Sequence, residues 1–170
     1  MARSFHDYFS SVADARFVMR KVVRIVDEIA KRRDLDPLEH QALIQIYGVR
    51  KQVLVRTVAE RLDISPAFAS KLVKALIAAK LVTTHESPTD LRASVLRATD
   101  EGVRRLRQID AEVRLQVNAF TRGLQPEMKS AALSIYAFYV GAEIEVTDYV
   151  DLGAVPVPPK RGRSANSYLK

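Results

Sequence analysis

No cysteine occurs in this 170-residue chain. That excludes a thiol nucleophile, a thiolate zinc site, an iron–sulfur centre and a peroxide sensor working through a sulfenic acid. Histidine is scarce too: His6, His40 and His85 are the full set. Three scattered imidazoles with no thiolate partner do not make a transition-metal sensor, so neither metal nor cofactor is expected. No run of about 18 apolar residues is present, which leaves no candidate membrane span. The first residues lack an apolar signal core and carry an early acid, Asp7, so the chain is expected in the cytoplasm of a bacterium or archaeon, associated with the nucleoid. Phosphate-loop, dinucleotide-glycine, zinc-protease and serine-elbow patterns are all missing, and no enzyme is expected.

What is there is an ordinary globular balance, 48% hydrophobic and 28% charged, with a formal charge of +7. The charge is unevenly spread. Residues 50–107 hold 12 basic and 6 acidic side chains, and residues 154–170 hold 4 basic and none acidic. Residues 108–153 hold 3 basic and 7 acidic. An excess concentrated on the middle of the chain points to a polyanion, and nucleic acid is the usual one.

Apolar residues from Phe5 to Ala30 recur at three- and four-residue steps, which predicts one long helix over about 5–33, with Ser4 as its cap. Such a helix is about 43 Å long. That exceeds what a compact domain of this size needs, so part of its apolar face is expected to meet another subunit. Asp36-Pro37 starts a second helix that ends at Gly48, and Val53 to Val55 are expected to pair as a stub of strand. A short helix follows over 55–62. Ser65 and Pro66 then cap and start another, predicted to run to about Lys80 with Phe68, Leu72, Val73, Leu76 and Ile77 as its packed stripe. Two β-compatible runs, 81–86 and 93–97, flank a polar turn and predict a hairpin. Thr99 caps a helix ending near Gly123, and a last helix is predicted from about Pro126 to Tyr149, before an extended proline-rich tail.

A short helix, a brief turn and a second capped helix make a helix-turn-helix, and the hairpin after it is placed as a wing. The fold class is therefore mainly α with a small β-hairpin wing: a winged helix-turn-helix lobe plus a helical dimerisation region. The expected division is 1–35 (N-terminal helix), 36–107 (DNA-binding lobe), 108–150 (C-terminal helices) and 151–170 (extended basic tail), with dimerisation by 1–35 and 108–150 implied by the family resemblance that follows.

From Leu54 to Gly102 the residues resemble the winged helix-turn-helix of the MarR family, the multiple-antibiotic-resistance regulators. The register runs from Leu81-Val82 through Asp90-Leu91-Arg92 to Thr99-Asp100-Glu101-Gly102, matching a wing pattern of Asp-x-Arg, a strand and a Leu-Thr-x-x-Gly helix start, with Ala98 in the leucine position. Lys80 stands where the family usually has glycine, at the end of the recognition helix. The resemblance implies a homodimer on a palindromic double-stranded operator, made by the first helix with the last two. It also implies a ligand crevice between the dimer region and the DNA-binding lobe.

On this reading Lys71 and Lys74 reach bases or phosphates from the outer face of the recognition helix. Ser65 and Ser70 donate to phosphates or base edges, Pro66 opens a helix start rich in amide donors, and Ala67 meets a thymine methyl. Arg92 matches the wing arginine that enters the minor groove, held by Asp90. Arg56, with Arg50 and Lys51, contacts phosphates, and Lys160-Arg161-Gly162-Arg163 is a candidate minor-groove hook. Phe9, Arg16, Phe17, Arg20, His40 and Tyr47 are candidate effector contacts, suited to an aromatic or anionic small molecule. Taken by itself, His40 near a helix start reads as a surface or capped histidine. The function expected is a ligand-responsive, sequence-specific repressor. The alternative is a non-specific architectural DNA-binding or adaptor protein on the same scaffold.

Overall fold

The computed structural model describes residues 5–86 and 94–141. The elements run α1 (Phe5–Arg32), α2 (Pro37–Gly48), α3 (Val55–Leu62), α4 (Pro66–Ala78), β1 (Val82–Glu86), β2 (Ser94–Ala98), α5 (Asp100–Arg122) and α6 (Pro126–Val140). This order is the expected one. The predicted cap at Ser4, the turn between the strands and the basic tail lie outside the described residues.

Local chemistry sets the helix starts. The Asp36 carboxylate accepts from the Leu38 amide at 2.9 Å, the Ser65 hydroxyl from Phe68 at 3.2 Å and the Thr99 hydroxyl from Gly102 at 3.0 Å. Proline occupies the first turn of both α2 and α4, where its missing N–H costs nothing. Three helix ends share another device. Asp34, Asp63 and Lys80 take left-handed backbone, with φ of 56°, 52° and 59°. At each, the following amide reaches back to a helix carbonyl: Leu35 to Ala30, Ile64 to Ala59 and Leu81 to Leu76. These are Schellman closures, built here without glycine.

β1 and β2 pair antiparallel from Val82↔Ala98 to Glu86↔Ser94, and Val53 adds a single bridge to Leu96. Under this sheet lies the main core, where Leu43 of α2, Val58 of α3, Leu76 of α4, Leu96 of β2 and Ile109 of α5 are buried together with Ile29 of α1. Gly102 allows α5 to start against the chain at Leu81 (below). A second, small cluster joins α1 to α6 through Val12, Ala15 and Ile135. Beside the main core, Glu112 of α5 receives Arg32 at 2.8 Å and Arg33 at 3.0 Å from the end of α1. The guanidinium of Arg33 holds the Glu112 carboxyl below the usual carboxylate range, aided by Arg32 and opposed by partial desolvation.

The long helices leave much apolar surface uncovered in the single chain: Phe5 is 80% exposed, Leu115 72% and Phe138 69%. Three expectations need correction. α4 ends at Ala78, because Lys80 already belongs to the Schellman closure. Its packed stripe is Ala69, Leu72, Val73 and Leu76, whereas Phe68 and Ile77 stand more than a third exposed at the edges of that face. α6 stops at Val140, where Gly141 turns left-handed with φ 67°. The helix predicted beyond it falls on residues outside those described.

Candidate nucleic-acid interface

α3 and α4 meet through a tight turn, and α4 presents one face to solvent. Ala67, Lys71 and Lys74 follow at four- and three-residue steps, so they share that face. All three are exposed, as are Ser65 and Pro66, while Ser70 is half-buried at the margin. Behind them Leu72, Val73 and Leu76 anchor the helix in the core. Among the described residues neither Lys71 nor Lys74 meets a carboxylate, whereas several helical arginines do, as in Arg24–Glu28, Arg104–Glu101 and Arg114–Asp110. Arg56 is exposed in the first turn of α3, which carries no acid.

The start of α4 is poorer in free donors than its sequence implies. Pro66 has no N–H, Phe68 donates to the Ser65 hydroxyl, and Ala69 donates to the Ser65 carbonyl at 2.9 Å. Among the first turn's amides that leaves Ala67 for a phosphate. The Ser65 hydroxyl still has its own proton to donate. Asp90 and Arg92, the wing pair, lie outside the described residues, as does Lys160-Arg161-Gly162-Arg163. The strands that carry the wing present Thr84, His85 and Arg97 to solvent.

The six effector candidates are spread along α1 and α2. Phe9 is exposed and packs edge-on against Phe5 at 4.9 Å and Tyr8 at 5.3 Å. Phe17 faces Phe120 of α5 at 6.3 Å, with the Lys21 ammonium 5.9 Å from its ring centre. Arg16 is exposed, and Arg20 lines an open groove along α1 beside Asp27 and Glu28. Tyr47 lies elsewhere, at the end of α2, beside Arg50 and Lys51. His40 corrects the reading of a surface histidine: it is 4% exposed, and its Nδ1 is buried without a hydrogen-bond partner among the described residues. Burial pushes its pKa down, with the Asp27 carboxylate opposing. Arg97 and the Arg33–Glu112 link are absent from the sequence reading. The strand alternation of 94–98 would have placed Arg97 outward, but nothing local announces a partner 79 residues away in the chain.

A two-helix turn with an exposed basic second helix, followed by an antiparallel hairpin, defines a winged helix-turn-helix, the fold of a DNA-binding transcription regulator. Residues 33–93 match the profile of the MarR family. Over this lobe the chain is similar to the MarR family, whose members are transcription regulators rather than enzymes. No sequence among the curated proteins matches it. Among solved structures, the fold is similar to E. coli MarR in its apo form (TM-score 0.62, 17% identity, covering 74% of this chain and 92% of that one). It is similar to CouR from Rhodococcus jostii RHA1 bound to p-coumaroyl-CoA (TM-score 0.58, 21% identity, 76% and 92% covered). It is also similar to a mutant of E. coli MarR complexed with operator DNA (TM-score 0.60, 17% identity, 74% and 89% covered). No helix among the described residues is long and apolar enough to cross a membrane.

Proposed function

We propose that the chain is a ligand-responsive repressor that binds a palindromic operator as a homodimer and is released by a small aromatic or anionic effector. The observation that carries this reading is the outer face of α4, where Lys71 and Lys74 stand exposed and, among the described residues, without a carboxylate on a helix anchored firmly behind them. Unneutralised lysines on one face of a capped recognition helix seek phosphate oxygens and base edges in a major groove about 12 Å wide.

The rest of the reading follows from the helical region. The uncovered faces of α1, α5 and α6 offer the apolar surface that a second subunit would bury. The dimer would use residues 1–35 and 108–150, leaving 36–107 for DNA and 151–170 as a basic tail. Two copies of α4 would then enter successive major grooves roughly 34 Å apart. An effector that binds better to a different spacing of the two lobes would release the operator by population shift. The likeness to one structure holding operator DNA and to another holding p-coumaroyl-CoA supports both halves of this cycle. A protein of this kind works in the cytoplasm.

The test is a gel-shift titration on the protein's own promoter, with unrelated DNA as competitor. A promoter fragment bound at least about tenfold more tightly than random DNA supports the repressor. Equal binding to both would establish the architectural alternative instead.

A further inference from the structure

Apart from the recognition face, a cleft of about 330 Å³ lies between the connector after α2 and β2 of the wing. Its floor is apolar and buried: Ile46 is 5% exposed, Val53 2%, Val95 6% and Leu96 2%. Its rim carries the phenol of Tyr47 and three cations, Arg50, Lys51 and Arg97. Among the described residues no acid lines it. Among the described residues none of the three cations is ion-paired, in a chain where Arg24, Arg32, Arg33, Arg104, Arg105 and Arg114 all have carboxylate partners. The groove along α1 makes the contrast, because there Arg20, Arg24 and Lys31 are offset by Asp27 and Glu28. Nothing from α4 lines the cleft, so it is separate from the Lys71–Lys74 face.

We propose that this cleft is a binding site for a small organic oxyanion, a carboxylate or phosphate monoester carried on an aromatic body. Three unneutralised cations around a concave apolar floor satisfy both halves of such a ligand. The body covers Val53 and Val95, and the anionic group draws Arg50 and Lys51 from one wall and Arg97 from the other. The two walls are joined by one backbone bond, Leu96 N–H to Val53 C=O at 2.8 Å. A bound anion would add a second tie between the connector and the wing. The inference concerns binding alone and stands whether or not the chain is a ligand-released repressor.

The full chain is titrated with phenyl phosphate, benzoate and inorganic phosphate at low salt, by calorimetry and by amide chemical shifts. The expected result is saturable binding of phenyl phosphate or benzoate with Kd of about 0.1–1 mM. The amides of 49–53 and 95–98 should move, and inorganic phosphate should bind more weakly for want of a body. Arg50→Gln with Arg97→Gln should weaken binding by about tenfold or more, and Lys51→Gln alone by several-fold. Lys71→Ala with Lys74→Ala should leave it unchanged. No saturable binding, amide shifts confined to other segments, or full binding by the Arg50/Arg97 and Lys51 variants would overturn the proposal. So would a wild-type chain that ignores all three probes yet needs Arg50 and Arg97 for DNA, since the cations would then serve the nucleic-acid backbone.

Discussion

Gly102 lies so close under the carbonyl of Leu81 that a β-carbon built on it would stand 2.2 Å from the Leu81 oxygen and 3.4 Å from a methyl of Leu43. The same carbonyl accepts the Thr99 amide at 3.0 Å, so it cannot swing away without losing a cap contact. The start of α5 is thus locked against the end of α4 and the beginning of the wing. Gly102→Ala should destabilise the fold by about 1–3 kcal/mol, because the obstacle is backbone. Urea denaturation measures this, and an unchanged midpoint would show that the junction yields easily.

Lys80 offers the opposite case. Its φ of 59° is a left-handed conformation that costs an L-residue roughly 1 kcal/mol, and the Thr99 hydroxyl holds it there by donating to the Lys80 carbonyl at 2.7 Å. Asp34 and Asp63 adopt the same conformation more cheaply, since a short polar side chain tolerates it. Lys80→Gly should therefore raise stability by about 0.5–1 kcal/mol, the relief of strain being partly offset by a more flexible unfolded chain. A lower melting temperature for Lys80→Gly would show that the lysine side chain compensates the strain.

The signals that were legible are short-range. Asp36-Pro37, Ser65-Pro66 and Thr99 each carry a cap, and each starts its helix where the sequence predicts. The order of elements and the basic face of α4 follow from these starts and from helical spacing. What could not be read depends on distant segments. His40 is buried because α2 packs into the main core, which its own neighbours do not reveal. Gly141 interrupts a stripe that continues in sequence to Val146, and one glycine inside a periodic run is an ambiguous stop. Arg50 and Arg97 share a cleft although 47 positions separate them, because a single bridge brings Val53 beside Leu96.

The buried imidazole makes stability depend on pH. Burial lowers the pKa of His40 in the folded chain, while the unfolded chain takes up the proton near the ordinary value of about 6.5. Below that pH the unfolded state binds more protons than the folded one, so stability falls as pH drops through about 6.5. The loss levels off only below the depressed folded pKa. Above pH 7 the group is neutral in both states and contributes no slope. His40→Leu should flatten the profile between pH 7 and 5. At pH 8 it should cost less than about 1 kcal/mol, since it also removes a buried Nδ1 that has no partner among the described residues. Urea midpoints at pH 8, 7, 6 and 5 for both proteins decide this, and parallel profiles would assign the acid sensitivity to other groups.

The two lysines of α4 can be separated from the fold that carries them. Both side chains are exposed and neither has an ion-pair partner among the described residues, so Lys71→Ala with Lys74→Ala removes no internal contact. Alanine is also at least as good a helix former as lysine. Stability and subunit association should therefore stay within about 0.5 kcal/mol of the wild type. Binding to promoter DNA should collapse. If each lysine neutralises one phosphate, the slope of log K against log salt should also fall by about 2. Loss of binding with an unchanged salt slope would mean that the lysines read bases instead of phosphates. Wild-type affinity in the double variant would move the interface off this face of α4 altogether.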